Sequence, residues 1–369
     1  MHSVIFQEKS QNVCLENLSR SCNCTNKYDN DNYRYKFTCF GVNSTTVMDL
    51  EYINEERLYV HCKNISSLEE FPDLTEHINV TEIDLQNCPV SMNRSLYDYT
   101  SKISMKMNKL KLFIGDNDED RNFNANYFEG LSSLESFHLT VLQRIEFRLP
   151  LENVFEKLVD LKNLTIRDLI TPNGIFDTLE QLQNLEIHNY FLKPRSLQFG
   201  VFKNQRNLTF LRVMGYSFNS IESDIFANLI ELESFILSET MLKSIPDNML
   251  EHNRMLISFE LTNNVKNIKT LPHKLLANMW NLKYIKLYYN NLEYLPEDLF
   301  ENSLHIKSIL ISDNKLSALP KDIFMEKINL ELLDLSRNIL KDLIDGLFDS
   351  LVSLKDLYLS DNKLSNISK

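Results

Sequence analysis

An eleven-residue phrase, L-x-x-L-x-L-x-x-N-x-L, recurs twelve times along this chain and constrains its fold more than any other feature. Leu354, Leu357, Leu359, Asn362 and Leu364 match every fixed position, and Leu330, Leu333, Leu335, Asn338 and Leu340 do so 24 residues earlier. A phrase that returns every roughly 20–50 residues builds one supersecondary unit per return, and such a unit buries its apolar side only against the next copy. The expected architecture is a solenoid. That fold offers a long surface and seldom a catalytic cleft, so holding another molecule is the function class it favours.

A second landmark fixes the phase. Six residues before the first apolar position of each repeat stands a large apolar residue: Phe128, Phe155, Phe176, Phe202, Phe226, Leu250, Leu276, Phe300, Phe324 and Phe348. The repeats they precede begin at Leu134, Leu161, Leu182, Leu208, Leu232, Leu256, Leu282, Ile306, Leu330 and Leu354, and weaker repeats begin at Val80 and Met107. Together these features predict an α/β leucine-rich-repeat solenoid, with a curved parallel sheet on its concave side and an irregular or short-helical convex side. Within L-x-x-L-x-L a short strand alternates its side chains, leucines inward and the intervening residues outward. The Phe position closes the convex side. Ile245-Pro246, Leu271-Pro272, Leu295-Pro296 and Leu319-Pro320 mark the corner where the chain leaves the strand layer, since proline has no N–H for a ladder.

Asn264, Asn290, Asn314, Asn338 and Asn362 fill the asparagine position, where an amide can satisfy backbone groups of neighbouring coils. The earlier half puts Cys88, Gly115, Leu142, Leu169, Tyr190, Tyr216 and Thr240 there, and its repeat lengths wander between 21 and 27 residues. Either the early repeats have drifted, or they are shaped for a ligand. The phase places Glu82, Asp84, Gln86, Lys109, Lys111, Phe113, Ser136 and His138 on the concave face of the early repeats. Asn184, Glu186, His188, Phe210, Arg212 and Met214 follow, and then Tyr284, Lys286, Tyr288, Leu310, Asp356 and Tyr358. Exposed aromatic and arginine side chains are common interface anchors.

Four of the six cysteines (Cys14, Cys22, Cys24 and Cys39) crowd the N-terminus, as in a disulfide-stapled end cap. Leu58-x-Val60-x-Cys62 repeats the strand pattern 23 residues after Cys39, and Cys88 lies in the next coil. Adjacent coils are close enough for a Cys62–Cys88 bond; a buried free thiol at Cys88 is the alternative. The chain therefore divides into a cysteine-rich cap with the first coils at 1–75 and about twelve repeats at 76–369, ending without a C-terminal cap, as a piece of a longer ectodomain would.

Nine N-x-S/T sequons, at Asn17, Asn23, Asn43, Asn64, Asn79, Asn93, Asn163, Asn207 and Asn366, add to the extracellular reading. Asn163 falls on the concave strand itself, so a glycan there would push ligand contacts N-terminal of it or to an edge. No apolar run is long enough to span a membrane, and Met1 to Gln11 is no signal peptide. The net charge of −12 argues against nucleic acid and favours a basic or neutral partner.

Catalytic and metal signatures are absent from the sequence. Asp116-x-Asp118-x-Asp120 opens like a calcium loop but has Arg121 and Tyr127 where glycine and glutamate are needed, which leaves a solvated acidic loop. The eight histidines are dispersed; His138 and His188 are concave positions that read first as exposed surface histidines, with modulation of binding by pH as the alternative. Neither an enzyme, a cofactor nor a small-molecule substrate is expected.

Cys14, Cys22-Asn23-Cys24 and Tyr35-x-Phe37-x-Cys39 resemble the N-terminal cysteine cap of extracellular leucine-rich-repeat proteins, a resemblance that implies Cys14–Cys24 and Cys22–Cys39; spacing alone leaves other pairings open. Ser21-Cys22-Asn23-Cys24-Thr25, Tyr59-Val60-His61-Cys62-Lys63-Asn64 and Asn87-Cys88-Pro89-Val90 together resemble the N-terminal part of an insect Toll receptor ectodomain. This resemblance covers the whole chain. It implies an innate-immunity and developmental receptor at the outer face of the plasma membrane. Its ligand would be a dimeric cystine-knot cytokine of the Spätzle type, bound through the cap and the early concave face. Signalling would follow from receptor self-association. The rival class is a structural or adhesive leucine-rich-repeat protein of the cell surface or matrix.

Overall fold

In a computed structural model, the described residues are 22–29, 32–40, 47–53, 56–63, 80–86, 88, 95–101, 103–104, 106–114, 125–141, 153–169, 171–190, 200–215, 221–264 and 268–365, with most of those before 56 described in backbone only. They divide into two compact units, 1–169 and 170–369.

The first unit opens with a meander. Strands β1 (Cys22–Asp29), β2 (Asn32–Phe40), β3 (Val47–Ile53) and β4 (Arg57–Lys63) pair antiparallel in sequence order. From β4 onward pairing is parallel: β5 (Glu82–Gln86), β6 (Lys109–Ile114), β7 (Ser136–Val141) and β8 (Asn163–Arg167) are added one per coil. In the second unit β9 (Asn184–His188), β10 (Phe210–Met214), β11 (Ser234–Ser238), β12 (Ser258–Thr262), β13 (Tyr284–Lys286), β14 (Ser308–Leu310), β15 (Leu332–Asp334) and β16 (Asp356–Tyr358) are all parallel. Leucine-rich-repeat solenoid is therefore the right fold class. The backs of the coils are mostly turns; among the described residues, helix is limited to α1 (Tyr97–Thr100) and a 3-10 segment at Ala125–Phe128. Back segments such as 173–178 are too short to sustain a helix.

Both landmarks mark the core. Phe128, Phe155, Phe176, Phe202, Phe226 and Phe324 are fully buried. The rings pack coil on coil: Phe128 lies 5.6 Å from Phe155, Phe176 stacks 6.2 Å from Phe202, and Phe202 stacks 5.8 Å from Phe226. Burial of an aromatic side chain contributes several kcal/mol of transfer free energy, about 25 cal/mol per Å² of apolar surface, and each coil repeats it. The prolines of the corner each accept a turn hydrogen bond, as at Met249 N–H to Pro246 and Leu299 N–H to Pro296, while their missing N–H leaves no donor orphaned.

The asparagines form the ladder expected of them. The Asn314 amide donates to the carbonyls of Leu287 in the preceding coil (2.8 Å) and Ile311 in its own (3.2 Å), and its oxygen accepts the Leu292 N–H (3.1 Å). Asn290, Asn338 and Asn362 repeat the pattern. Asn264 bonds back to Thr240, where the ladder passes to a hydroxyl residue. Just before this slot the chain takes a left-handed conformation, at Asn263, Asp313 and Asp361 and also at Gly215. A Cβ at Gly215 would lie 2.5 Å from the Asn189 carbonyl oxygen, so that coil admits only glycine.

The Cys62–Cys88 bond is present, joining β4 to the second residue beyond β5, with Cα atoms 4.8 Å apart. Cys14 and the side chains of Cys22, Cys24 and Cys39 lie outside the described residues, although Cys22 stands opposite Cys39 in the backbone register.

One core position is discordant. Three residues before the first apolar position, six of the last ten repeats carry Leu131, Leu158, Leu179, Leu229, Met279 and Leu351, and three carry neutral polar residues that donate to backbone carbonyls, Gln205, Asn253 and Ser303, but the same slot in one coil holds Lys327, only 3% exposed. Its ammonium donates to the Met325 carbonyl at 2.8 Å, and burial pushes its pKa down, opposed by the nearby Glu326 carboxylate. Lys327→Met is expected to raise stability by about 1–2 kcal/mol at neutral pH, because one carbonyl cannot replace the hydration of an ammonium. The folded-state pKa lies below the unfolded one, so the unfolded chain holds the proton longer as pH rises. The penalty is present in full below the folded pKa and fades as pH climbs toward the ordinary lysine value of about 10.4. Denaturant unfolding of both proteins at neutral and alkaline pH measures this; a stability gap that does not narrow would contradict it.

Candidate functional site

Strand registry turns the outer face of the first unit's parallel strands into a grid. One row runs Arg57, Glu82, Lys109, Ser136, Asn163; the next runs Tyr59, Asp84, Lys111, His138, Thr165; the third runs His61, Gln86, Phe113, Thr140, Arg167. The outward residues read from the sequence phase in these strands, Glu82, Asp84, Gln86, Lys109, Lys111, Phe113, Ser136 and His138, all fall on this grid. Inward residues between them, such as Ile83, Leu85, Leu110 and Leu112, are buried.

Exposure varies across the grid for a reason outside any one repeat. Arg57, Gln86, Lys109 and Arg167 are exposed, and Lys111, Phe113, Ser136 and His138 are half-buried. Glu82 and Asp84 are buried at 7% and 9%, although they point outward. Glu82 is clasped from both neighbouring coils: Arg57 Nε lies 3.1 Å from one carboxylate oxygen and Lys111 Nζ 2.6 Å from the other. Burial raises the Asp84 carboxyl above the ordinary carboxylate value, against a hydrogen bond from Gln86 and the charge of Lys111. His138 Nε2 lies 3.1 Å from Thr140 Oγ1.

Asn163 opens β8 beside Ser136 and is half-buried, its amide nitrogen 3.5 Å from the Glu135 carbonyl oxygen. Asn207, on the flank of its coil, is exposed and donates to the Glu180 carbonyl at 2.9 Å. The Asn23 side chain and the sequons at Asn17, Asn43, Asn64, Asn79, Asn93 and Asn366 lie outside the described residues, as do Asp116, Asp118 and Asp120.

On the second unit's face the charges pair with one another. Glu186 receives His188 Nε2 at 3.0 Å and Arg212 at 3.1 Å, and Arg212 lies 5.5 Å from the Phe210 ring centroid. The His188 hydrogen bond, helped by Arg212 and opposed by burial, holds the Glu186 carboxyl below its ordinary value. Lys286 meets Glu260 at 3.2 Å, and burial followed by the Glu260 charge pushes the Tyr288 hydroxyl up. Asn184, Met214 and Leu310 are half-buried, whereas Tyr284, Asp356 and Tyr358 are exposed. The sequence assigned these residues a face but not the bridges between coils, which depend on partners roughly a repeat length away.

Among the described residues no group of three or more His, Cys, Asp or Glu could hold a metal ion, and no helix is long and apolar enough to cross a membrane.

Residues 305–364 match a leucine rich repeat family, and residues 170–287 match the BspA type leucine rich repeat region. No curated protein matches the sequence. Among solved structures, the chain is similar to Drosophila Toll in the Toll–Spatzle complex, described as a molecular hub in development and innate immunity: 23% identity, TM-score 0.74, covering 96% of this chain and 49% of that one. The glycosylated form of that complex gives 25% identity and TM-score 0.75, covering 97% and 50%. The TLR13–ssRNA13 complex gives 17% identity and TM-score 0.61, covering 82% and 53%. The chain thus spans about half the length of the Toll chains it matches.

Proposed function

We propose that this chain is the ligand-binding part of a Toll-type receptor ectodomain, held at the outer face of the plasma membrane by the full-length receptor. Its ligand is a dimeric cystine-knot cytokine of the Spätzle type, and signalling follows from ligand-driven association of receptors. The observation that carries this reading is the similarity along nearly the whole chain to Toll in its Spatzle complex. The Cys62–Cys88 bond supports an oxidising, extracellular setting. Pairing of Cys14 with Cys24 and of Cys22 with Cys39 would complete the cap at 1–75. The repeats at 76–369 would then bind rather than catalyse.

Contacts are assigned to the cap and to Gln86, Lys109, Lys111, Phe113, Ser136 and His138, with Glu82 and Asp84 holding the cations in place. A glycan on Asn163 would stand at one edge of this grid and limit docking to its N-terminal side. The test is a pull-down of mature cystine-knot cytokines by the intact, oxidised chain. Retention of one such dimer is the expected result; retention of none, with the cap disulfides verified by peptide mapping, sinks the reading.

A further inference from the structure

The protein is acidic overall, at net −12, and that balance alone points to a basic or neutral partner. The outer face of β4–β8 has the opposite character. Its accessible charges are cationic: Arg57, Lys109 and Arg167 are exposed and Lys111 is half-buried. Its carboxylates are sunk. Glu82 lies beneath Arg57 and Lys111, with side-chain exposures of 52% and 39% for the cations against 9% for the acid. Asp84 is 9% exposed, and Glu51, opposite Tyr59 at the border with β3, is half-buried. A partner approaching this face meets ammonium and guanidinium groups first. The second unit's face also pairs its cations with carboxylates, Arg212 with Glu186 and Lys286 with Glu260, but these acids are more exposed than Glu82, and Asp334 and Asp356 add further acid.

We propose that the outer face of β4–β8 is a docking surface for an acidic protein patch, which places surface carboxylates against Lys109, Lys111, Arg57 and Arg167. The proposal rests on the receptor reading above and adds the chemistry of the partner. Five strands about 4.8 Å apart and three rows of side chains give a face of roughly 500 Å². That is well over half of the about 800 Å² that each side of a stable protein interface buries, so the patch can form its centre but needs a rim. Arg57, Lys109 and Lys111 surround the buried Glu82 and Arg167 stands apart from them, rather than the four tracking a line, and Tyr59 and Phe113 are half-buried rather than offered as stacking platforms. Both features fit separated carboxylates better than the phosphates and bases of a nucleic acid. A complementary field of this kind acts chiefly on encounter rate and partner choice and is screened by salt.

The probe is a labelled oligoglutamate peptide, with oligolysine and single-stranded RNA as comparisons, followed by fluorescence anisotropy on the intact chain. Oligoglutamate is expected to bind in preference to both, and to weaken about tenfold between about 50 mM and about 300 mM salt. Lys109→Glu with Arg167→Glu, both exposed positions, is expected to cost at least about tenfold in affinity, and the milder Lys109→Gln with Arg167→Gln a smaller loss in the same direction. Lys286→Glu on the second unit leaves binding unchanged. Equal binding by the parent chain and the charge-reversed pair overturns the proposal, and so does RNA displacing oligoglutamate. The two readings fail separately. A cystine-knot cytokine that binds the charge-reversed pair as well as the parent removes this face and keeps the receptor reading. Charge-dependent oligoglutamate binding with no cytokine retained does the reverse.

Discussion

Phe226→Ala is expected to destabilise the second unit by about 3–5 kcal/mol, the range for emptying a fully buried aromatic site. Phe226 has no exposed surface; its ring stacks 5.8 Å from Phe202 and lies 4.8 Å from Phe235, so truncation strips contacts from the coil before it and from β11, the strand of its own repeat. Phe226→Leu is expected to cost much less, about 1–1.5 kcal/mol, because the next two coils already carry Leu250 and Leu276 in this slot. The distribution of the loss matters as much as its size. A repeat touches only its neighbours, so stability is close to a sum of coil and interface terms. Hydrogen exchange should therefore accelerate first in β10, β11 and β12, while β14 to β16 keep their protection. A uniform rise across β9 to β16 would show that the unit opens as one piece and would contradict the nearest-neighbour account.

The same locality explains how much could be read from the sequence. A residue's face depends only on its place in the phrase, and two independent landmarks fix that phase, so Lys109, Phe113 and Tyr284 were assignable without coordinates. The asparagine ladder was legible for the same reason, since its partners are backbone groups at constant offsets. Properties that depend on the identity of a neighbour were not. Glu82 follows an outward pattern yet is buried, because Arg57 and Lys111 arrive from the coils on either side. Glu186 gathers His188 and Arg212 in the same way. Strands β1 and β3 were missed because antiparallel pairing lies outside the repeat phase and no landmark extends there. Lys327 did leave a signal, a lone ammonium in a column otherwise mostly apolar, but that column lies three residues before the phrase used to align the repeats.

Removing the Cys62–Cys88 bond by Cys62→Ala with Cys88→Ala is expected to cost about 3.5 kcal/mol, the loop-closure value for the 26-residue separation it spans. Alanine is the better test than serine, because both cysteines are only 3% exposed and a buried hydroxyl would add its own penalty. The loss should fall where antiparallel pairing gives way to parallel pairing. There β4 joins the meander on one side and β5 on the other, and the Arg57–Glu82 ion pair crosses the same junction. An exposed cation clasping a carboxylate contributes little by itself, on the order of 1 kcal/mol or less, so the disulfide is what fixes the register of this edge. Faster exchange in 57–63 and 82–86 in the double alanine variant, with β7 and β8 unaffected, is the expected result. Unchanged exchange in those two strands would mean that packing of Leu58, Val60, Ile83 and Leu85 holds the junction alone. A loosened junction should also weaken oligoglutamate binding, because Arg57 and Lys111 would lose the fixed carboxylate between them.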